Sequence, residues 1–123
     1  MDALFLMPNF KEVNAIEIQS IASEIHSASQ RLGKGSDALF LLAKENAEAE
    51  QQYRKALGTE IVKLKLEGMS VTLIGDIARG NTSDMKFQRD LCEARYTAGR
   101  DSLKAIAAQI TALQTIVKYI SEA

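Results

Sequence analysis

Residues 63–90 read KLKLEGMSVTLIGDIARGNTSDMKFQRD, and this stretch decides the fold. A helical apolar pattern enters it, glycine signals punctuate it twice, and a second long pattern leaves it. Gly68 follows the last periodic residues of the entering helix and supplies a left-handed C-cap, so that helix is expected to run to Glu67. Ser70 is placed to cap a short helix from Val71 to Ala78 or Arg79, residues 70–80 in all, closed by Gly80-Asn81. Thr82 or Ser83, followed by Asp84, then opens the last helix.

Upstream of the corner, Leu39, Leu42, Ala49, Tyr53, Leu57, Ile61 and Leu64 recur on or near one stripe, giving a helix over 36–67. Asn46 falls on that stripe, where a polar residue sets register or marks a partly exposed position. Glu50 and Arg54 form an i,i+4 pair of favourable polarity. Before Gly33-Lys34-Gly35, which reads as a break, Ile18, Ile21, Ile25, Ala28 and Leu32 are spaced 3, 4, 3, 4 and give a first helix over 9–32 with Asn9 as its cap. Downstream, Phe87, Leu91, Ala94 and Ala98 keep a 4, 3, 4 rhythm. Leu103, Ile106, Ile110, Leu113, Val117 and Ile120 extend it, so the last helix spans 82–121 with Gly99 as its one weak point.

No segment alternates with period two over a useful length, so strands are not supported. The expected fold is all-α: a single domain over 1–123, built as a long antiparallel helical hairpin with an additional N-terminal helix and a short helical corner. Helices this long are hard to bury in 123 residues, which points to a homo-oligomer. The apolar stub 1–8, with Leu4-Phe5-Leu6-Met7, either docks on a neighbour or folds back over its own core.

Composition narrows the function classes by exclusion. One Cys forms no internal disulfide, and one His with one Cys makes no structural zinc site. The stretch Ala3 to Met7 is far short of the roughly 20 apolar residues that span a bilayer. With Asp2 as its only charge, it also lacks the basic region of a secretory signal. The expectation is a cytoplasmic protein, inside a bacterial host cell once the resemblance given below is added, with no membrane partner. A net charge of −1 gives no global field for nucleic acid.

Enzyme templates are not met. Leu32-Gly33-Lys34-Gly35-Ser36 has the composition of a phosphate loop but lacks the upstream glycine and the strand, and reads as a linker. His26 has no HExxH partner and reads as an exposed histidine, and Cys92 as a half-buried thiol with no nearby base. Asp90 and Glu93 are i,i+3 carboxylates among Arg89 and Arg95, which reads as a solvated, salt-bridged face. A non-enzymatic protein without cofactor or metal is expected.

The corner carries the functional reading. Lys86 and Arg89 lie three apart in the first turns of the last helix, where the helix dipole favours acids. Cations beside free N–H groups of two helix N-termini assemble an anion site, with Arg79 closing it and Asp76 orienting Arg79. The plainer alternative is that Asp76, Asp84 and Asp90 neutralise these cations. A third reading is a helix-turn-helix, with Arg79-Gly80-Asn81 as the turn and Ser83 to Leu91 as the recognition helix. Against it, residues 63–104 hold eight Lys/Arg and six Asp/Glu, a small excess for tracking phosphates.

The same residues carry a resemblance. EGMSVTLIGDIARG at 67–80, KFQRD at 86–90, EARY at 93–96 and ALQTI at 112–116 are similar to the motifs of a group of small phage and prophage proteins, to which no activity attaches. Ile77 stands where that group has Leu, and Thr115 where it has Ser. The first sixty residues are outside the resemblance. It implies a phage origin and a shared surface formed by Thr72, Asp76, Arg79, Lys86, Arg89, Glu93 and Tyr96. Together these readings give a phage-type binding protein for counter-defence or host takeover, capturing a nucleotide-like host signal or an acidic patch on a host protein. Thr72, Asp76, Arg79, Lys86, Arg89 and Tyr96 are its ligand-binding candidates. DNA binding, or a coiled-coil accessory role in phage replication or recombination, is the alternative.

Overall fold

A computed structural model describes residues 10–122. The stub 1–8 and the expected cap Asn9 lie outside the described residues. Within them every regular element is helical: α1 is Phe10–Leu66, α2 is Val71–Asn81 and α3 is Ser83–Glu122. None of these helices is long and apolar enough to cross a membrane.

The break expected at Gly33-Lys34-Gly35 does not form. α1 runs through it for 57 residues, so the expected helices 9–32 and 36–67 are one element. A left-handed glycine would end the helix, but the only positive φ in the described chain belongs to Gly68, at 81°. Ser36 Oγ donates to the Leu32 carbonyl at 3.0 Å, bridging both glycines along the helix. Gly35 has a packing role instead, because a Cβ there would collide with the Leu103 side chain.

The corner follows the capping chemistry of the sequence closely at its first turn. Gly68 N–H donates to the Lys65 carbonyl at 3.1 Å, and Met69 N–H to the Leu64 carbonyl at 3.1 Å. This is a Schellman motif, completed by Met69 packing on the apolar cluster that contains Leu64. At α2 the Ser70 hydroxyl bonds Thr72 Oγ1 at 3.0 Å instead of capping the helix. The expected end at Ala78 or Arg79 falls two or three residues early. Gly80 and Asn81 are both helical, and Thr82 is the C-cap, its backbone N–H and its hydroxyl both donating to the Ala78 carbonyl, at 3.1 and 2.8 Å. One residue therefore separates α2 from α3, where a helix-turn-helix uses a turn of about three or four residues.

The chain falls into two units, Met1–Ser36 with Asp101–Ala123, and Asp37–Arg100. In the first, Ala28 is fully buried, and Ile18, Ile21, Ile25 and Leu32 from α1 and Leu103, Ile106, Ile110, Leu113, Val117 and Ile120 from α3 are half-buried, as their spacing predicts. Arg31 reaches Gln109 at 3.5 Å. In the second unit Leu64, Ile74 and Ala78 form a buried cluster, flanked by Leu57, Ile61, Met69 and Ile77. Asn81 donates to Glu60 at 2.8 Å, and Gly99 lies against Leu39 and Leu42.

The first half of the α3 seam differs from the expected one. Phe87 is 63% exposed, and Ala94 and Ala98 are exposed as well. Leu91 is half-buried as expected, and Met85, Arg89, Cys92, Tyr96, Thr97 and Gly99 are the other half-buried positions of this stretch. From Ala98 to Leu103 the apolar reading takes a step of five, whereas the unbroken 4, 3 rhythm carried back from Leu103 reaches Gly99, Tyr96, Cys92, Arg89 and Met85. Helix geometry keeps the register, and the register places polar residues inward.

Candidate functional site

The inward-facing polar positions of the second unit build an open groove of about 580 Å³, lined by Ala43, Asn46, Ala47 and Glu50 from α1 and by Arg89, Glu93 and Tyr96 from α3. Asn46 and Glu50 are one turn apart, as are Arg89 and Glu93, so each helix presents two polar groups side by side. Ala43 and Ala47 leave the space between them open.

Arg89 is the most constrained side chain of this groove, with 26% of its surface exposed. Its Nε lies 3.5 Å from Glu50 Oε2 and donates to Asp90 Oδ1 at 3.1 Å. Its Nη2 donates to Asp90 Oδ1 at 3.0 Å. Its guanidinium carbon sits 4.8 Å from the centroid of the buried Tyr53 ring. A planar cation over an aromatic face, held by two carboxylates, is preorganised. The Asp90 hydrogen bond leads in raising the guanidinium pKa further above its ordinary value, with desolvation opposing it and the charge of Asp90 and Glu50 adding to it. Arg89 is a cation at every pH at which the protein is folded. Glu50 is shared, since its Oε1 also accepts from Arg54 at 2.6 Å.

The candidate residues read from the sequence separate into two groups. Arg89 and Tyr96 share the groove with Glu93, which the resemblance also marks. The others lie outside its lining. Asp76 and Arg79 face each other at 3.7 Å on α2, with both side chains mostly exposed, so the orienting contact is present. Thr72 is occupied with Ser70. Lys86 is exposed and has no ion-pair partner among the described residues. Asp90 pairs with Arg89 at 3.0 Å, and Asp90, Glu93 and Arg95 are exposed, in keeping with the salt-bridged face read for 89–95, while Arg89 itself is half-buried and also lines the groove. His26 is exposed and Cys92 half-buried, as read. Cys92 borders a smaller space of about 230 Å³ with Glu45, Glu48, Ala49, Gln52 and Gln88, where no cation activates a thiol.

The sequence reading passed over Asn46, Glu50 and Tyr53 as site residues. Their signal was present: a polar pair four apart on an otherwise apolar stripe, one turn ahead of an inward tyrosine. No family model, curated protein or solved structure matches the chain. The groove offers fixed charge, hydrogen-bond donors and acceptors and one aromatic ring.

Proposed function

We propose that this is a non-enzymatic helical binding protein that assembles as a homo-oligomer and captures a nucleotide-like anion in the Arg89–Tyr96 groove. In this reading α1 and α3 run antiparallel within the 37–100 unit: Arg89 meets Glu50 and Tyr53 and Gly99 lies against Leu39 and Leu42, so partner numbers fall along α1 as they rise along α3.

The preorganised guanidinium of Arg89 carries this reading. Glu50 and Asp90 engage its Nε and Nη2, and the remaining donor edge is free to take phosphate or carboxylate oxygens in a fork. Tyr96 supplies a ring or hydroxyl for a base, and Asn46 pairs with a heterocycle edge. The groove volume of about 580 Å³ falls in the range of small-molecule sites. Arg79 and Lys86, exposed in the same unit, attract the anion without contacting it in the groove. With the phage resemblance of residues 67–116, the biological role is sequestration of a host signal in the host cytoplasm.

Calorimetry and thermal-shift measurements against nucleotides, cyclic nucleotides and ADP-ribose derivatives test the proposal. Binding by wild type, abolished by Arg89→Ala and weakened by Tyr96→Ala, is expected. The Arg79→Ala, Lys86→Ala double variant should bind more weakly and with a shallower salt dependence. No binding by wild type, or binding undiminished in Arg89→Ala, would sink it.

A further inference from the structure

The groove lies wholly within the 37–100 unit and is ordered along its length. Arg89 meets Glu50 at one point, and Gly99 lies against Leu39 and Leu42 at another. Stepping one turn at a time between these contacts sets Asn46 opposite Glu93 and Ala43 opposite Tyr96. The groove therefore has a charged end at Arg89, a hydrogen-bonding middle at Asn46 and Glu93, and an aromatic end at Tyr96, where Ala43 leaves room for a ring. From Arg89 to Tyr96 is two turns of α3, about 10.5 Å, comparable to the reach of a mononucleotide from phosphate to base.

Glu93 is what a bare anion leaves unexplained. Glu50 is engaged by both Arg54 and Arg89, whereas Glu93 has no ion-pair or hydrogen-bond partner among the described residues. An ionised carboxylate only accepts hydrogen bonds. One turn from Arg89, it repels a ligand that carries nothing but negative charge. A ligand that suits both groups has an anion at one end and, one turn along the groove, adjacent N–H donors. The Asn46 amide, on the opposite wall, supplies a donor for an acceptor beside them.

We infer that the groove selects guanine nucleotides and that Glu93 reads the base, an inference that rests on the nucleotide-binding reading above and names its substrate class. Among the common nucleobases only guanine carries two adjacent donors, N1–H and N2–H, on its base-pairing edge. They match the two oxygens of one carboxylate, and the O6 beside them accepts from Asn46 Nδ2. Adenine and cytosine place a ring-nitrogen lone pair where Glu93 needs a donor. Uracil flanks its single N–H with two carbonyls. Each of these leaves the carboxylate facing an acceptor, and a site built for a donor rejects a ligand that lacks it. The guanine ring lies beside Tyr96, and the phosphate takes the remaining donor edge of Arg89.

Calorimetry of the full chain with 5′-GMP, 5′-IMP and 5′-AMP, repeated with cyclic GMP and cyclic AMP, tests the selection. Wild type should bind the guanine nucleotides about tenfold to a hundredfold more tightly than the adenine ones. IMP, which lacks the N2 amine, should fall between. Glu93→Gln is the discriminating variant, and Glu93 is exposed, so the fold tolerates it. An amide both donates and accepts, so this variant should lose the preference for GMP and gain affinity for AMP, whose N6–H and N1 match it. Loss of a merely repulsive surface charge would instead tighten every nucleotide by the same factor. Arg89→Ala should lose all of them together, because it acts on the phosphate. Equal binding of GMP and AMP by wild type, or a uniform tightening in Glu93→Gln, overturns guanine selection and leaves the anion groove standing. A wild type that binds no nucleotide overturns both.

Discussion

Gly33→Ala turns the continuity of α1 into a sign. If residue 33 sits inside a helix, alanine removes the entropy cost of glycine and contributes about 0.8–1.0 kcal/mol of stability. Nothing lies within 4 Å of the added methyl, and the backbone there is not left-handed, so no steric cost offsets the gain. For a chain of 123 residues this raises Tm by about 3–5 °C. If Gly33 instead closed a helix as its left-handed cap, alanine would cost about 1–2 kcal/mol. The two cases therefore differ by at least about 2 kcal/mol, well beyond the error of urea unfolding followed by far-ultraviolet circular dichroism. Amide exchange adds a local readout, since the N–H groups of residues 34–37 should be protected in both proteins. A destabilised Gly33→Ala variant with fast exchange at 34–37 would refute a continuous α1.

Three further outcomes are expected. Gly68→Ala, at φ 81°, should lose about 1–2 kcal/mol in the same unfolding assay, because alanine is strained in that region. Thr82→Val, which removes the buried hydroxyl bond to the Ala78 carbonyl, should cost about 0.5–1.5 kcal/mol, and Thr82→Ser should retain most of it. Leu64→Ala empties the centre of the corner cluster and should cost about 2–5 kcal/mol by denaturant titration.

The all-helical fold and the corner were legible because they depend on local rules. Gly68 could be read as a cap since only glycine accepts that conformation cheaply, and the α1 stripe from Ile18 to Leu64 is buried or half-buried at every position named. Gly33 and Gly35 were not legible as helical. A glycine that ends a helix and a glycine that admits a neighbouring leucine look alike until Leu103 is in place. Gly80 repeats the difficulty on a smaller scale, because it keeps a helical φ and lets α2 run on to Asn81 where a glycine reads as a stop.

The α3 seam explains why the site itself was only half visible. Reading apolarity alone selects Phe87, Leu91, Ala94 and Ala98, of which only Leu91 is half-buried and the other three are exposed. Reading period alone, anchored at Leu103, selects Met85, Arg89, Cys92, Tyr96 and Gly99, a poor core but the face that is used. The two criteria part at an arginine on the inward line, which Glu50 and Asp90 satisfy and Tyr53 supports. Arg89 and Tyr96 could be named from the corner motif because both stand in it. Glu50 and Asn46 could be named only by asking what lies on the α1 stripe opposite an inward charge. A polar residue that keeps the helical period can therefore be placed on the inward face from sequence, whereas a cluster of cations near a helix end cannot, since the period fixes where the side chain must go and the cluster does not.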